Sequence, residues 1–214
     1  MQLELPTGVV DVWKVDLDGD AGGAPVLSRE ESARADRFRD PRDGERWRRA
    51  RTALRRLLSD YLDMDPRELV IEAASQGKPF LGAPASDFRF SVSHAGAVAL
   101  LAFTRRTEVG VDFELRSRRI DALALARQAF GEAHARALGD LPADRREEAF
   151  LRAWVRHEAA VKCVGTGLGG STPDAADVWV TDLDVAPDVV AALATTTGPC
   201  TIRRRQQSVA AQSR

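Results

Sequence analysis

Two long helical patterns, each followed by a run of short strands, constrain this chain more than any other feature. Residues 43–62 place Trp47, Ala50, Leu54, Leu57, Leu58 and Tyr61 at helical spacing, and strands are expected near 69–73, 88–93 and 97–104. A strand at 109–115 opens the second half. Short helices over 120–130 and 132–138 then lead to a long helix over about 144–164, stopped by Gly165, and strands near 178–184, 189–194 and 201–205 follow. Ahead of both, residues 9–17 read as a first strand, and Ser28 caps a short helix with Glu30 and Glu31 in its first turn. The repetition is architectural, with no residue-level repeat. It predicts an α+β fold, either as two lobes or as one mixed sheet.

Charge and composition narrow the functions open to such a fold. The 214 residues carry a formal charge of −1 with 29% charged side chains, so no global field favours nucleic acid or a membrane surface. Residues 1–6 lack a basic segment and an apolar core of the secretory kind, and the longest apolar run, 95–103, is too short to span a bilayer. A cytoplasmic protein without membrane association is expected. Cys163 and Cys200 offer neither metal-ligand spacing nor a disulfide framework. Of 31 basic residues only Lys14, Lys78 and Lys162 are lysine. A compact ammonium and a planar guanidinium are not interchangeable, so an arginine-rich chain that retains lysine at 78 and 162 points to those two positions.

Chemistry concentrates in two stretches. In Gly110-Val111-Asp112-Phe113-Glu114-Leu115-Arg116, an extended strand puts Asp112 and Glu114 on one face and Phe113 on the other. In Trp154-Val155-Arg156-His157-Glu158-Ala159-Ala160-Val161-Lys162, helical spacing stacks Trp154, Glu158 and Lys162 on one stripe. Alone, a Glu-to-Lys pair at i, i+4 is an ordinary surface salt bridge contributing about 0.2–0.5 kcal/mol. Taken together, three carboxylates and a lysine suit a magnesium and phosphate site, since Mg²⁺ prefers oxygen ligands and is often shared with substrate phosphates. The glycine-rich run 165–169 follows a helix instead of preceding one, so it is read as a helix stop and loop, not as a phosphate cradle.

These stretches resemble the motifs of the 4'-phosphopantetheinyl transferases, in particular the two-lobed class typified by the enzyme that activates surfactin synthetase. That family carries a G-[IV]-D-[IVF]-E strand and a W-x-x-K-E-[AS]-x-x-K helix in this order. Gly77-Lys78-Pro79-Phe80 resembles its G-K-P turn, and Phe90-Ser91-Val92-Ser93-His94-Ala95-Gly96 resembles its F-N-[IL]-S-H-[ST] strand. The four motifs fall within residues 77 to 168.

The resemblance implies two similar α+β lobes, 1–104 and 105–214, related by a pseudo-twofold axis with the active site in the cleft. Each lobe would be a long helix on a small, mainly antiparallel sheet. It implies transfer of the phosphopantetheine arm of coenzyme A to a serine of an apo acyl or peptidyl carrier protein, by a monomer. Asp112, Glu114 and Glu158 would hold Mg²⁺, with Glu158 a third ligand or the base for the attacking hydroxyl. Lys162 would meet the pyrophosphate, Arg51 the 3'-phosphate, and Lys78, Pro79, Ser93 and His94 other parts of coenzyme A; Asp112, Glu158 and Lys162 form the catalytic group.

The chain departs from the pattern where His157 stands in place of the first lysine of the helix motif, and where His134 stands near a usual glutamate. These two imidazoles could share a hydrogen bond or lie on the surface. Two other readings compete. One is a non-catalytic module binding coenzyme A or a carrier protein. The other is a nucleic-acid binder built on residues 29–56, where eleven arginines face six acids. The same excess would attract a polyanionic cofactor or an acidic carrier, or would be only a solvated helix face.

Overall fold

The computed structural model describes residues 2–19, 24–75, 77–82, 87–116, 120–165 and 178–206. A first strand, β1 (Val9–Asp16), is followed by helices α1 (Arg29–Ala35) and α2 (Pro41–Leu62) and by strands β2 (Ile71–Ala73), β3 (Pro79–Leu81), β4 (Phe88–Ala95), β5 (Val98–Arg105) and β6 (Val109–Leu115). Helices α3 (Ala122–Phe130), α4 (Glu132–Gly139) and α5 (Ala143–Val164) precede β7 (Trp179–Leu183), β8 (Val189–Thr195) and β9 (Thr201–Gln206).

Local chemistry explains the helix ends. Ser28 Oγ accepts the Glu31 N–H at 3.2 Å while the Glu31 carboxylate accepts the Ser28 N–H at 2.8 Å, a complete capping box at the start of α1. Helix α2 begins two residues before the expected 43, because Asp40 accepts the Arg42 N–H and Pro41 fits the first turn, where no N–H is required. Helix α5 stops as expected at Gly165, whose φ of 77° suits glycine. The rest of that glycine-rich loop, 166–169, lies outside the described residues. Strand β3 is new relative to the expected G-K-P turn: Pro79, Phe80 and Leu81 pair with Ala73, Glu72 and Ile71 to make a two-stranded ribbon.

Two larger sheets form the body, one in the order β4-β5-β1-β9 and one in the order β6-β8-β7. They are antiparallel except where β9 runs parallel to β1, with Val9 opposite Thr201. Strand β9 therefore follows β7 and β8 in sequence but joins the sheet of the first half. Fully buried Asp11 on β1 secures it, accepting from Arg203 Nε at 2.5 Å, Arg205 Nε at 2.9 Å and the Tyr61 hydroxyl. The carboxylate is affordable in the interior only because these donors surround it.

Three apolar clusters set the layers. Leu54, Leu58 and Tyr61 of α2 pack on Ala99, Leu101 and Phe103 of β5. The opposite face of β5, Leu100 and Ala102, meets Val109, Val111 and Phe113 of β6 together with Leu193 of β8. Helix α5 covers the far side through Val155, Ala159 and Cys163 against Ala192 and Ala194. The order is thus helix, sheet, sheet, helix, and β5 is apolar from Val98 to Phe103 because both its faces are covered there. No helix among the described residues is long and apolar enough to cross a membrane.

Much of the arginine excess of 29–56 is used internally. Arg42 and Arg46 both reach Asp18 at 2.7 Å, Arg49 Nη1 donates to the carbonyls of Leu17 and Gly19, and Arg56 Nη2 donates to that of Ala24. Arg48 pairs with Asp36, while Arg51 and Arg55 share Glu31. These contacts strap the segment before α2 onto the helix, which argues against a nucleic-acid face.

Glu31 is the hub of this arrangement, only 7% exposed. Burial pushes its carboxyl up, but hydrogen bonds from Arg55 and Ser28 and the charge of Arg51 outweigh that, and the net shift is downward. A carboxyl lowered in the folded state contributes stability above the ordinary glutamate range and loses it as the pH falls through the folded value. Glu31→Gln is therefore expected to cost about 2 kcal/mol at pH 7, by weakening two charge-assisted hydrogen bonds to guanidinium groups. Urea unfolding at pH 7 and near pH 3 checks this, because the deficit should shrink in acid; an equal deficit at both would refute the electrostatic origin.

Candidate active site

Strand β6 turns Val109, Val111 and Phe113 into the space between the sheets, so Gly110, Asp112 and Glu114 share the other face. Helix α5 crosses that face at close range. A Cβ on Gly110 would lie 1.9 Å from the Ala159 carbonyl oxygen and 2.5 Å from the Cys163 nitrogen, so the helix backbone rests directly on the glycine. This contact brings Glu158 and Lys162 of α5 to Asp112.

Lys162 Nζ donates to Asp112 Oδ1 at 2.6 Å, and Ser93 Oγ of β4 donates to the same oxygen at 2.8 Å. Asp112 and Glu158 are each 6% exposed, whereas Glu114 is half-buried. Burial raises the Glu158 carboxyl above its usual range, the charges of Asp112 and Glu114 raise it further, and Lys162 opposes them. The two stretches singled out in the sequence therefore meet, with three carboxylates in one another's field against one ammonium. Among the described residues no group of three or more His, Cys, Asp or Glu side chains is gathered closely enough to hold a metal ion.

On the other side of β4 lies a cavity of about 310 Å³, walled by α1, α2, the β2–β3 ribbon and β4. Arg51, Pro79 and His94 line it, together with Arg34, which sits 5.5 Å over the Trp47 ring. His94 is exposed at the cavity mouth, and the partial desolvation there, then the charge of Lys162, lowers its pKa. Arg51 Nε is bound to Glu31 at 2.5 Å. Ser93 and His94 do not share a wall, because successive residues of a strand point to opposite faces: His94 goes to the cavity and Ser93 to the carboxylates. Lys78 is not part of the cavity lining; its ammonium donates to Glu108 Oε2 at 3.0 Å and to the Cys163 carbonyl at 3.1 Å, near the end of α5.

The two unexpected histidines contact a common ring. His157 stands edge-on to Phe130 at 5.5 Å and 6.2 Å from Trp154, and His134 lies 4.7 Å from Phe130. His134 is exposed, while His157 is half-buried and its pKa is pushed down by that burial. Gly110 is the residue that sequence reasoning underused: a glycine inside a strand is itself a sign of close backbone approach.

Comparison with known proteins identifies the family. The profile described as 4'-phosphopantetheinyl transferase, N-terminal, matches residues 20–106, and that of the 4'-phosphopantetheinyl transferase superfamily matches residues 108–211. The chain is 32% identical to the 4'-phosphopantetheinyl transferase HetI of Nostoc sp., over 78% of this chain and 73% of the relative. It is 31% identical to the 4'-phosphopantetheinyl transferase psf-1 of Bacillus pumilus, over 67% and 60%. It is also 31% identical to the L-aminoadipate-semialdehyde dehydrogenase-phosphopantetheinyl transferase of Xenopus laevis, over 68% and 52%, so it spans only part of these two relatives. The chain belongs to the 4'-phosphopantetheinyl transferase superfamily.

Proposed function

We propose that the chain transfers the 4'-phosphopantetheine arm of coenzyme A to a serine hydroxyl of an apo acyl or peptidyl carrier protein, releasing 3',5'-ADP. The observation that carries this reading is the convergence of Asp112, Glu158 and Lys162 beside a cavity lined by Arg51, Pro79 and His94. Asp112, Glu114 and Glu158 fit a hard divalent cation, because three mutually repelling carboxylates, one of them raised by burial, are relieved by an oxygen-seeking Mg²⁺. When bound, Mg²⁺ supplies positive charge against the pyrophosphate.

The carrier serine oxygen forms a bond to the phosphorus bearing pantetheine, and the bond from that phosphorus to the ADP oxygen breaks. Glu158 holds the cation or takes the serine proton, directly or through a water. Lys162 exchanges its contact with Asp112 for a pyrophosphate oxygen. Arg51 offers its terminal nitrogens, which have no partner among the described residues, to the 3'-phosphate, while Pro79 and His94 contact coenzyme A within the cavity. Lys78 reaches the same substrate by leaving Glu108, and Ser93 borders it. Positioning and electrostatics supply most of the acceleration in such a transfer. We take the chain to act as a cytoplasmic monomer of two lobes, 1–104 and 105–214, with the site between them.

The non-catalytic reading is not favoured, since a binding module has no use for a buried carboxylate whose ionisation is opposed by its neighbours. Chromatographic detection of 3',5'-ADP that appears only when apo carrier, coenzyme A and Mg²⁺ are all present tests the proposal; its absence with every carrier tried would overturn it. Arg51→Ala is expected to raise the KM for coenzyme A about tenfold or more, the size of one charged hydrogen-bonding contact, and to leave that for dephospho-coenzyme A nearly unchanged. Equal rises for both substrates would move Arg51 away from the 3'-phosphate.

A further inference from the structure

Strand β4 divides its side chains between two tasks. Phe88, Phe90 and Val92 pack against the α2 core, whereas Ser91 and Ser93 face β6 and are both buried. Strands β4 and β6 belong to different sheets, so no ladder joins them. Their join is made here by hydroxyls: Ser91 Oγ accepts the Val111 N–H at 3.1 Å, and Ser93 Oγ donates to Asp112 Oδ1 at 2.8 Å. With Lys162 Nζ on the same oxygen at 2.6 Å, Oδ1 holds both donors and Oδ2 has none among the described residues.

We propose that Ser93 is a positioning residue that fixes the Asp112 carboxylate with Oδ2 presented to a divalent cation, and that it is not a coenzyme A contact. This rests on the reading of Asp112 as a cation ligand. A carboxylate on an edge strand can rotate about two side-chain bonds, and Lys162, itself 30% exposed, moves when it engages substrate. The Ser93 hydroxyl comes from the neighbouring sheet and is buried there. It is thus the donor that holds the rotamer while the lysine changes partner, and hydrogen bonds of this kind orient metal-binding side chains generally.

The test is calorimetric titration of Mg²⁺ into the purified protein with coenzyme A and no carrier, for the wild type, Ser93→Ala, Ser93→Thr and Ser91→Ala. Ser93→Ala is expected to weaken Mg²⁺ binding about tenfold, and Ser93→Thr, which keeps the hydroxyl, to recover to within about threefold of the wild type. Ser91→Ala leaves the Val111 N–H without its partner, so it should unfold more easily yet bind Mg²⁺ like the wild type. In transfer assays at saturating Mg²⁺, the KM for coenzyme A should be the same with and without the Ser93 hydroxyl. Unchanged Mg²⁺ affinity in Ser93→Ala with a raised KM would make Ser93 a coenzyme A contact and overturn the proposal, as would a wild type that binds no Mg²⁺. A wild type that binds Mg²⁺ but transfers nothing would defeat the transferase reading alone, and the Mg²⁺ affinities of the serine variants would still decide the role of Ser93.

Discussion

Asp112→Ala and Glu158→Ala should each lower transfer by about a hundredfold to a thousandfold while the protein still folds. The expected size follows from what each side chain does: a carboxylate that places charge opposite a breaking phosphate bond acts directly on the transition state, where single electrostatic groups supply about 10²–10³ in rate. Stability should move far less. Both carboxylates are buried, but they repel one another, and Lys162 is exposed enough to turn toward water once Asp112 is gone. Asp112→Asn is the stricter comparison, since it keeps a hydrogen-bond acceptor for Ser93 and Lys162 and removes only the charge. Transfer rates and thermal unfolding midpoints measured on the same preparations separate the two effects. Near wild-type transfer in both alanine variants would end the assignment of the site.

Gly110→Ala should be the most damaging glycine-to-alanine change among the described residues. The new carbon would sit 1.9 Å from the Ala159 carbonyl oxygen and 2.5 Å from the Cys163 nitrogen, and both are backbone atoms of α5 that cannot rotate aside. The helix must lift, which opens its packing on β6 and β8 and carries Glu158 and Lys162 away from Asp112. A cost of about 3 kcal/mol is expected for forced overpacking of this kind, and the fraction that folds should transfer poorly. Gly139→Ala is the control, because its Cβ would meet only a Leu123 methyl at 3.9 Å. Urea midpoints for the two variants give the comparison. A Gly110→Ala protein as stable as the wild type would mean that α5 does not rest on β6 as described.

The elements nearest the site were the most legible in the sequence. Strand β6 and helix α5 announce themselves by periodicity, and the same periodicity predicts which faces carry Asp112, Glu158 and Lys162. What could not be read was partnership across long separations. The parallel pairing of β9 with β1 depends on Asp11 meeting Arg203 and Arg205 about 190 residues later, and nothing local in either strand marks the other. The ribbon strand β3 is only three residues long and begins with proline, so it reads as a turn. Sequence reveals the charge of the α2 arginines but not their partners, and Asp18, Glu31 and Asp36 take up most of them. Ser93 and His94, adjacent in sequence, face opposite sides of β4, and strand geometry alone predicts that separation.

Intact mass spectrometry of an apo carrier protein, after incubation with the purified chain, coenzyme A and Mg²⁺, shows whether this site moves a phosphopantetheine arm onto a carrier serine. The predicted result is a carrier heavier by one phosphopantetheine arm, with no change when the carrier serine is replaced by alanine or when the chain bears Asp112→Ala. A carrier of unchanged mass across acyl and peptidyl carriers, with wild-type protein that is folded and binds coenzyme A, would contradict it.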